Sequence, residues 1–366
     1  MALANGSRRP VFVAAGVLVL LALLLLSVWG CDRPDRPPPA DSLPPSDTGG
    51  VSTDTSNITS TLVEAEVEVT PEDTVITAED SALVEKRPTP MMPVTTGIPV
   101  GPYDYRSTNW CGGFVSGAAQ SAPPEVLIGT LQKADYCNMR ITVAIPRRYY
   151  TTNGESKGPF SLTLAKRAAD RYAAVLAKVP SAYRDNLLYI TTLDDMGCTS
   201  CWPPNGISRA TTAEYTRYVR LKFPAWVAVG LRVDTVWMLG ISHWGVDVAV
   251  NQWHLRKGPK NLTGVPKQKA WYEAARQAAP KVGVKRMIYS QNIHDCEGAP
   301  PDGSTRPCTP TELRTYGEVA LNFDPTQNCG YISWKWADYD ERREYQEAWK
   351  YLVELGKRKP QVNCRA

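Results

Sequence analysis

Residues 187–197 read Leu-Leu-Tyr-Ile-Thr-Thr-Leu-Asp-Asp-Met-Gly. Seven β-branched, aromatic and apolar positions predict a strand, and the run stops at two adjacent acids. A helical pattern lies on either side. Ser161 opens the earlier one, with Leu162, Ala165, Ala169, Tyr172 and Leu176 on the helical period and Pro180 beyond its end. In the later one, Thr211 and Glu214 have capping-box spacing ahead of Tyr215, Tyr218 and Val219. Helix, strand and helix in succession imply a parallel sheet.

The alternation continues in both directions. Strands are expected at 98–103, 140–145, 233–238, 285–289 and 330–336, with a seventh at 246–250. Thr309-Pro310-Thr311-Glu312 places a cap, a first-turn proline and an acid in helix-starting order. A last helix presents Tyr345, Ala348, Trp349, Leu352 and Leu355 on one stripe. About 265 residues of such alternation, without a Gly-rich dinucleotide fingerprint, favour a (β/α)8 TIM-like barrel over an open doubly wound sheet. Seven countable strands leave an irregular or incomplete ring open.

The remainder of the 366-residue chain is a different material. Residues 32–100 carry 13 acidic and 4 basic side chains, whereas residues 101–366 carry 24 and 35. The whole-chain charge of +4 describes neither part. Arg8 and Arg9 precede an uncharged apolar run over residues 11–30, as in an export signal. Val28-Trp29-Gly30-Cys31 resembles a lipobox, which implies lipidation at Cys31; an uncleaved membrane anchor is the alternative. Residues 1–31 are thus expected to be a signal or anchor, and 32–95, rich in Pro, Ser, Thr and acids, a disordered tether. The globular domain occupies 96–366 and lies outside the cytoplasm, attached to the cell envelope.

Without Cys31 eight cysteines remain, an even number that reads as four disulfides in an exported domain. Neighbours in sequence suggest 111 with 137, 198 with 201, 296 with 308 and 329 with 364, among 105 connectivities. A zinc site of Cys198, Cys201, His294 and Cys296 is the sharper alternative and the less favoured. No metal or cofactor is expected.

Polar and aromatic residues collect where strands end. They include Asp194 and Asp195; His243; Trp253 and His254; Asn292; and Trp334, Trp336, Asp338 and Asp340. In a barrel these ends share one face, which carries the site. Each has a plainer role open to it, since strand-end acids cap helices and strand tryptophans fill cores. Together they suit a carbohydrate, whose apolar ring faces stack on indoles and whose hydroxyls bond to acids and amides. Glycoside hydrolysis needs two carboxyl groups across the bond. Asp195 is expected as the acid and Asp338 or Asp340 as its partner. Asp194, His243, Trp253, His254, Asn292, Trp334 and Trp336 are expected to hold the sugar. Scattered basic residues argue against nucleic acid, and the net positive charge of the globular part suits an anionic glycan or lipid surface. Nothing in the sequence bears on oligomeric state.

Three motifs carry a resemblance: Leu193-Asp194-Asp195-Met196, Ser290-Gln291-Asn292-Ile293, and Tyr331-Ile332-Ser333-Trp334-Lys335-Trp336. With Cys329 and Cys364, they make residues 98–364 resemble exported bacterial proteins related to TIM-barrel glycoside hydrolases. The resemblance implies a barrel acting on a polysaccharide. In those relatives the early strand tends to end in Asp-Glu-Pro, its Glu matching the acid of many barrel glycosidases. Asp195 is one methylene shorter, and a misplacement of about 1 Å can cost on the order of 10²-fold in rate. A non-catalytic glycan-binding or scaffold protein with a degenerate barrel is the competing expectation.

Overall fold

The computed structural model describes residues 96–105, 110–254, 257–296, 306–334 and 338–365, with only the backbone at 338 and 339. The expected export segment, Cys31 and the tether lie outside the described residues, as does Trp336. Among the described residues, no helix is long and apolar enough to cross a membrane.

Eight strands form one parallel sheet: β1 (Val100–Pro102), β2 (Gly117–Ser121), β3 (Arg140–Ala144), β4 (Leu187–Asp194), β5 (Val229–Arg232), β6 (Val248–Trp253), β7 (Arg286–Gln291) and β8 (Asn328–Ser333). Their spatial order is β1-β8-β7-β6-β5-β4-β3-β2. The sheet then closes on itself. The Ser116 amide donates to the Val100 carbonyl at 2.9 Å, and the Asp104 amide to the Ala119 carbonyl at 2.8 Å. Glycine at 101 permits this approach, because a Cβ there would stand 1.8 Å from the Gly117 carbonyl oxygen. The fold is a (β/α)8 barrel with all eight strands.

Among the described residues, six helices of at least ten residues pack around the ring: α1 (Leu127–Tyr136), α2 (Leu162–Leu176), α3 (Arg209–Lys222), α4 (Gly264–Ala278), α5 (Pro310–Asn322) and α6 (Arg343–Lys357). Ser161 caps α2 by accepting from the Leu164 amide, and Thr309 and Glu312 form a reciprocal capping box on α5. On α3 the cap is Ser208 rather than Thr211, so the helix starts earlier than the Thr-x-x-Glu spacing suggested. The buried stripe of α6 is Tyr345, Ala348, Trp349, Leu352 and Val353. Full burial of each large apolar member is worth about 1.5–3 kcal/mol.

The expected strands need two corrections, one for a strand misplaced and one for a strand missed. Residues 233–238 are not a strand; they form turns in a β5–β6 connection that has no regular helix, and the strand ends at Arg232. The apolar run there packs against the main hydrophobic core: Met238 is buried, and its carbonyl accepts from the Trp244 indole. The second correction is β2, Gly-Ala-Ala-Gln-Ser, which lacks the β-branched residues that announce a strand and forms through its neighbours.

An apolar cluster that includes Ala119, Tyr189, Val248, Val250, Ile288 and Ile332 fills the barrel. Tyr189 lies across β5: a Cβ at Gly230 would stand 2.0 Å from its ring. Four disulfides join the cysteine pairs that are neighbours in sequence: Cys111–Cys137, Cys198–Cys201, Cys296–Cys308 and Cys329–Cys364. These bonds consume the thiolates that the zinc alternative required.

Candidate active site

Asp194 and Arg232 end adjacent strands. Between Thr191 and Asp194 the β4–β5 register slips: Thr191 pairs with Gly230, and Asp194 pairs with Arg232. The extra residue re-aims the strand end, as bulges do, and turns Asp194 toward the barrel mouth where strict alternation would have placed Leu193. Leu193 instead joins the core between sheet and helices.

Asp194 Oδ2 accepts from Arg232 Nη1 at 2.7 Å and lies 3.5 Å from Arg147 Nη2. Its other oxygen is buried and has no hydrogen-bond partner among the described residues. Burial pushes this carboxyl from 3.8 up to about 6, opposed by Arg232 and reinforced by the neighbouring Asp195. Asp194 therefore takes up its proton well above the usual carboxylate range.

Asp195 differs in every respect. Its side chain is half exposed, its φ is +52°, and Oδ2 accepts from Arg147 Nη2 at 2.8 Å. Left-handed backbone is uncommon outside glycine, and here it starts the turn in which the Cys198 amide donates to the Asp195 carbonyl. The Trp202 indole donates to the Asp194 carbonyl at 3.0 Å, and Arg147 lies over the Trp202 ring. The Cys198–Cys201 loop thus braces both acids.

Arg232 organises the mouth. Its guanidinium carbon is 3.9 Å from the Trp334 ring centre and 5.0 Å from that of Tyr103, and Nε and Nη2 donate to Gln252 Oε1. Tyr103 and Trp334 pack with centroids 4.7 Å apart. Burial, then the charge of Asp194, pushes the Tyr103 hydroxyl up to about 12, so it stays protonated.

Two cavities open here. One, of about 330 Å³, is bordered by Asp194, Arg232, Asp234, His254, Asn292 and Trp334. The other, of about 540 Å³, is bordered by Tyr103, Arg147, Arg148, Ser156, Asp195 and Trp334. Asp194, Asp195 and Trp334 touch both, so the two are halves of one cleft. On the wall of the first half, Asp234 accepts from the Trp237 amide at 2.9 Å and lies 3.8 Å from Lys257. His254 Nδ1 is 3.2 Å from Asp295 Oδ2.

Of the residues expected at the site, the mouth gathers Asp194, Asp195, His254, Asn292 and Trp334. Three others go elsewhere. Trp253 is buried and faces the helix layer, 4.9 Å from Tyr316, because it alternates with Gln252 and His254 along β6. Asp340 is fully buried and accepts from the Trp349 indole at 3.0 Å, which removes it as a substrate-facing carboxylate. His243 is exposed on the β5–β6 connection, beside α3, where its carbonyl accepts from Arg217. The Asp338 side chain and Trp336 lie outside the described residues. Sequence reading missed Tyr103, Arg147, Arg232, Asp234 and Gln252. Misplacing the end of β5 hid Arg232 and Asp234, whereas Gln252 was legible from its alternation with Trp253.

No protein-family model matches the chain, and no curated protein does. Among solved structures it is similar to a glycoside hydrolase family 30 subfamily 8 xylanase from Clostridium acetobutylicum (9% identity, 71% of this chain and 73% of that one, TM-score 0.42). It is also similar to a chitinase from Bacteroides thetaiotaomicron (10%, 72% and 98%, 0.43) and to the spore cortex-lytic enzyme SleL from Bacillus cereus (11%, 75% and 77%, 0.42). At these identities and scores no residue role is taken from the likeness.

Proposed function

We propose that the barrel mouth binds a polysaccharide outside the cytoplasm and hydrolyses its glycosidic bonds, with Asp194 as the proton donor. The observation that carries this reading is Asp194 itself: a carboxyl lining the cleft, pushed up to about 6, with one buried oxygen that has no partner among the described residues. A general acid works best with a pKa near the operating pH. Asp194 gives its proton to the glycosidic oxygen as the bond to the anomeric carbon breaks, and the leaving sugar departs as an alcohol. Asp234, in the turn that follows the neighbouring strand, takes a proton from the water that attacks the anomeric carbon. Asp195 supports the acid through its charge, and Trp334, Asn292 and His254 bind the sugar. The four disulfides suit an oxidising compartment, and Cys31 would attach the chain to the envelope.

The second reading is glycan binding without hydrolysis. It is favoured by Arg147, which contacts both Asp194 and Asp195, and by Arg232, which covers part of Trp334. One experiment separates the two. Wild type and Asp194→Asn are incubated with insoluble polysaccharides, and retention and released reducing ends are both measured. Hydrolysis predicts reducing ends from wild type and at least about 10²-fold fewer from Asp194→Asn, with retention unchanged. Retention without reducing ends from either protein supports binding alone; neither retention nor release rejects both.

A further inference from the structure

The barrel has a second chamber, at the opposite end from the mouth. It measures about 250 Å³ and lies between the N-terminal ends of β3 and β4 and the C-terminal tail. Three guanidinium groups border it. Arg140 starts β3, Arg184 ends the single helical turn Ser181–Arg184, and Arg365 comes from the tail. Among the described lining residues Asp185 is the one carboxylate, and Trp226 supplies an aromatic side.

The three arginines are held differently. Arg184 lies over the Trp226 ring, 5.1 Å from its centre, and its Nε donates to the Val179 carbonyl. Arg365 donates through Nε to the Ala225 carbonyl and through Nη1 to Asp247. The Arg140 side chain borders the chamber beside Asp185, whose charge acts on it. It is half-buried, and burial lowers its affinity for its proton, offset only by the charge of Asp185. A guanidinium carries five N–H donors in a rigid fork that matches carboxylate and phosphate oxygens. An oxyanion in the chamber would accept from this fork, and charge-assisted bonds of that kind are among the stronger hydrogen bonds.

We propose that this chamber is a binding site for a small oxyanion, carboxylate or phosphate in chemistry, with the Arg140 fork as its main donor and Arg184 and Arg365 beside it. The site is independent of the mouth. It depends on the Cys329–Cys364 bond, which fastens the tail residues that form its wall.

The test is a titration of the full chain with inorganic phosphate, and in parallel with acetate, at constant ionic strength, followed by calorimetry. Saturable one-to-one binding is expected, at least tenfold weaker in Arg140→Gln and unchanged in Asp194→Asn. The tighter of the two anions identifies the ligand chemistry. Arg184→Gln gives the same comparison should Arg140→Gln fail to fold. Absence of saturable binding by either anion, or equal affinity in wild type and the arginine variants, overturns the proposal. Loss of mouth activity with phosphate binding intact would count against the proposed hydrolysis and not against this site.

Discussion

The guanidinium of Arg232 lies 3.9 Å from the centre of the Trp334 ring, and the same group donates to Asp194 at 2.7 Å. One side chain therefore links the aromatic wall of the cleft to its acid. The arrangement fixes Trp334 and at the same time holds down the proton affinity of Asp194, which burial alone would raise further.

Arg232→Gln removes the largest influence that opposes the upward shift of Asp194. The variant is expected to titrate Asp194 above about 6, and the alkaline limb of its kcat/KM profile is expected to move to higher pH. Asp195→Asn removes a charge that raises Asp194, so its limb moves to lower pH. A pH–rate profile of the three proteins checks both signs, and a shift in the same direction for both variants would contradict the account.

The Asp194 shift also governs stability. Its folded carboxyl holds a proton more tightly than the unfolded chain does, so its contribution is complete below 3.8 and is lost as pH rises through about 6. At roughly 1.4 kcal/mol per unit, the swing is about 3 kcal/mol. Asp194→Asn is neutral at every pH and escapes this loss. Its stability relative to wild type is expected to rise between pH 4 and pH 7.5, measured by chemical denaturation at each pH; a flat difference would contradict the assignment.

Two glycines predict opposite outcomes for the same substitution. A Cβ at Gly230 would stand 2.0 Å from the buried Tyr189 ring, so Gly230→Ala is expected to cost about 1–3 kcal/mol or more. Nothing lies within 4 Å of a Cβ at the exposed Gly129 in α1, and Gly129→Ala is expected to add about 0.4–1 kcal/mol. Thermal unfolding of both variants reads the two signs.

The Cys329–Cys364 bond closes a loop across 35 residues. Chain entropy assigns such a crosslink about 4 kcal/mol. The double variant Cys329→Ser, Cys364→Ser is expected to lose stability on that scale and to release the tail to proteolysis near residue 361. Limited digestion followed by mass spectrometry detects the cut.

Much of the barrel was legible in the sequence because its helices carry clear caps and its central strands carry long β-branched runs. Thr309–Glu312 and residues 187–193 are such cases. The rest was hidden for physical reasons. β2 is held by its partners and not by its own composition, and the apolar 233–238 run resembles a strand although it packs as turns. The site was half legible. Strand-end position pointed to Asp194, Asn292, His254 and Trp334, but it did not distinguish the inward carboxyl of Asp194 from the half-exposed one of Asp195. Only the slip in register shows which of them turns inward, and a slip leaves no mark on hydrophobic pattern. Trp253 and Asp340 lay near the right strand ends with side chains committed to the outer core.

The proton on Asp194 is the claim on which the mechanism depends, and carboxyl-carbon NMR measures it directly. Protein labelled with 13C at aspartate carboxyls is titrated from pH 4 to pH 8 beside Asp194→Asn. The account predicts one resonance that titrates near 6 in the wild type and is missing from the variant. If the resonance lost in the variant titrates at or below 3.8, Asp194 is an ordinary ion-paired carboxylate and cannot be the acid.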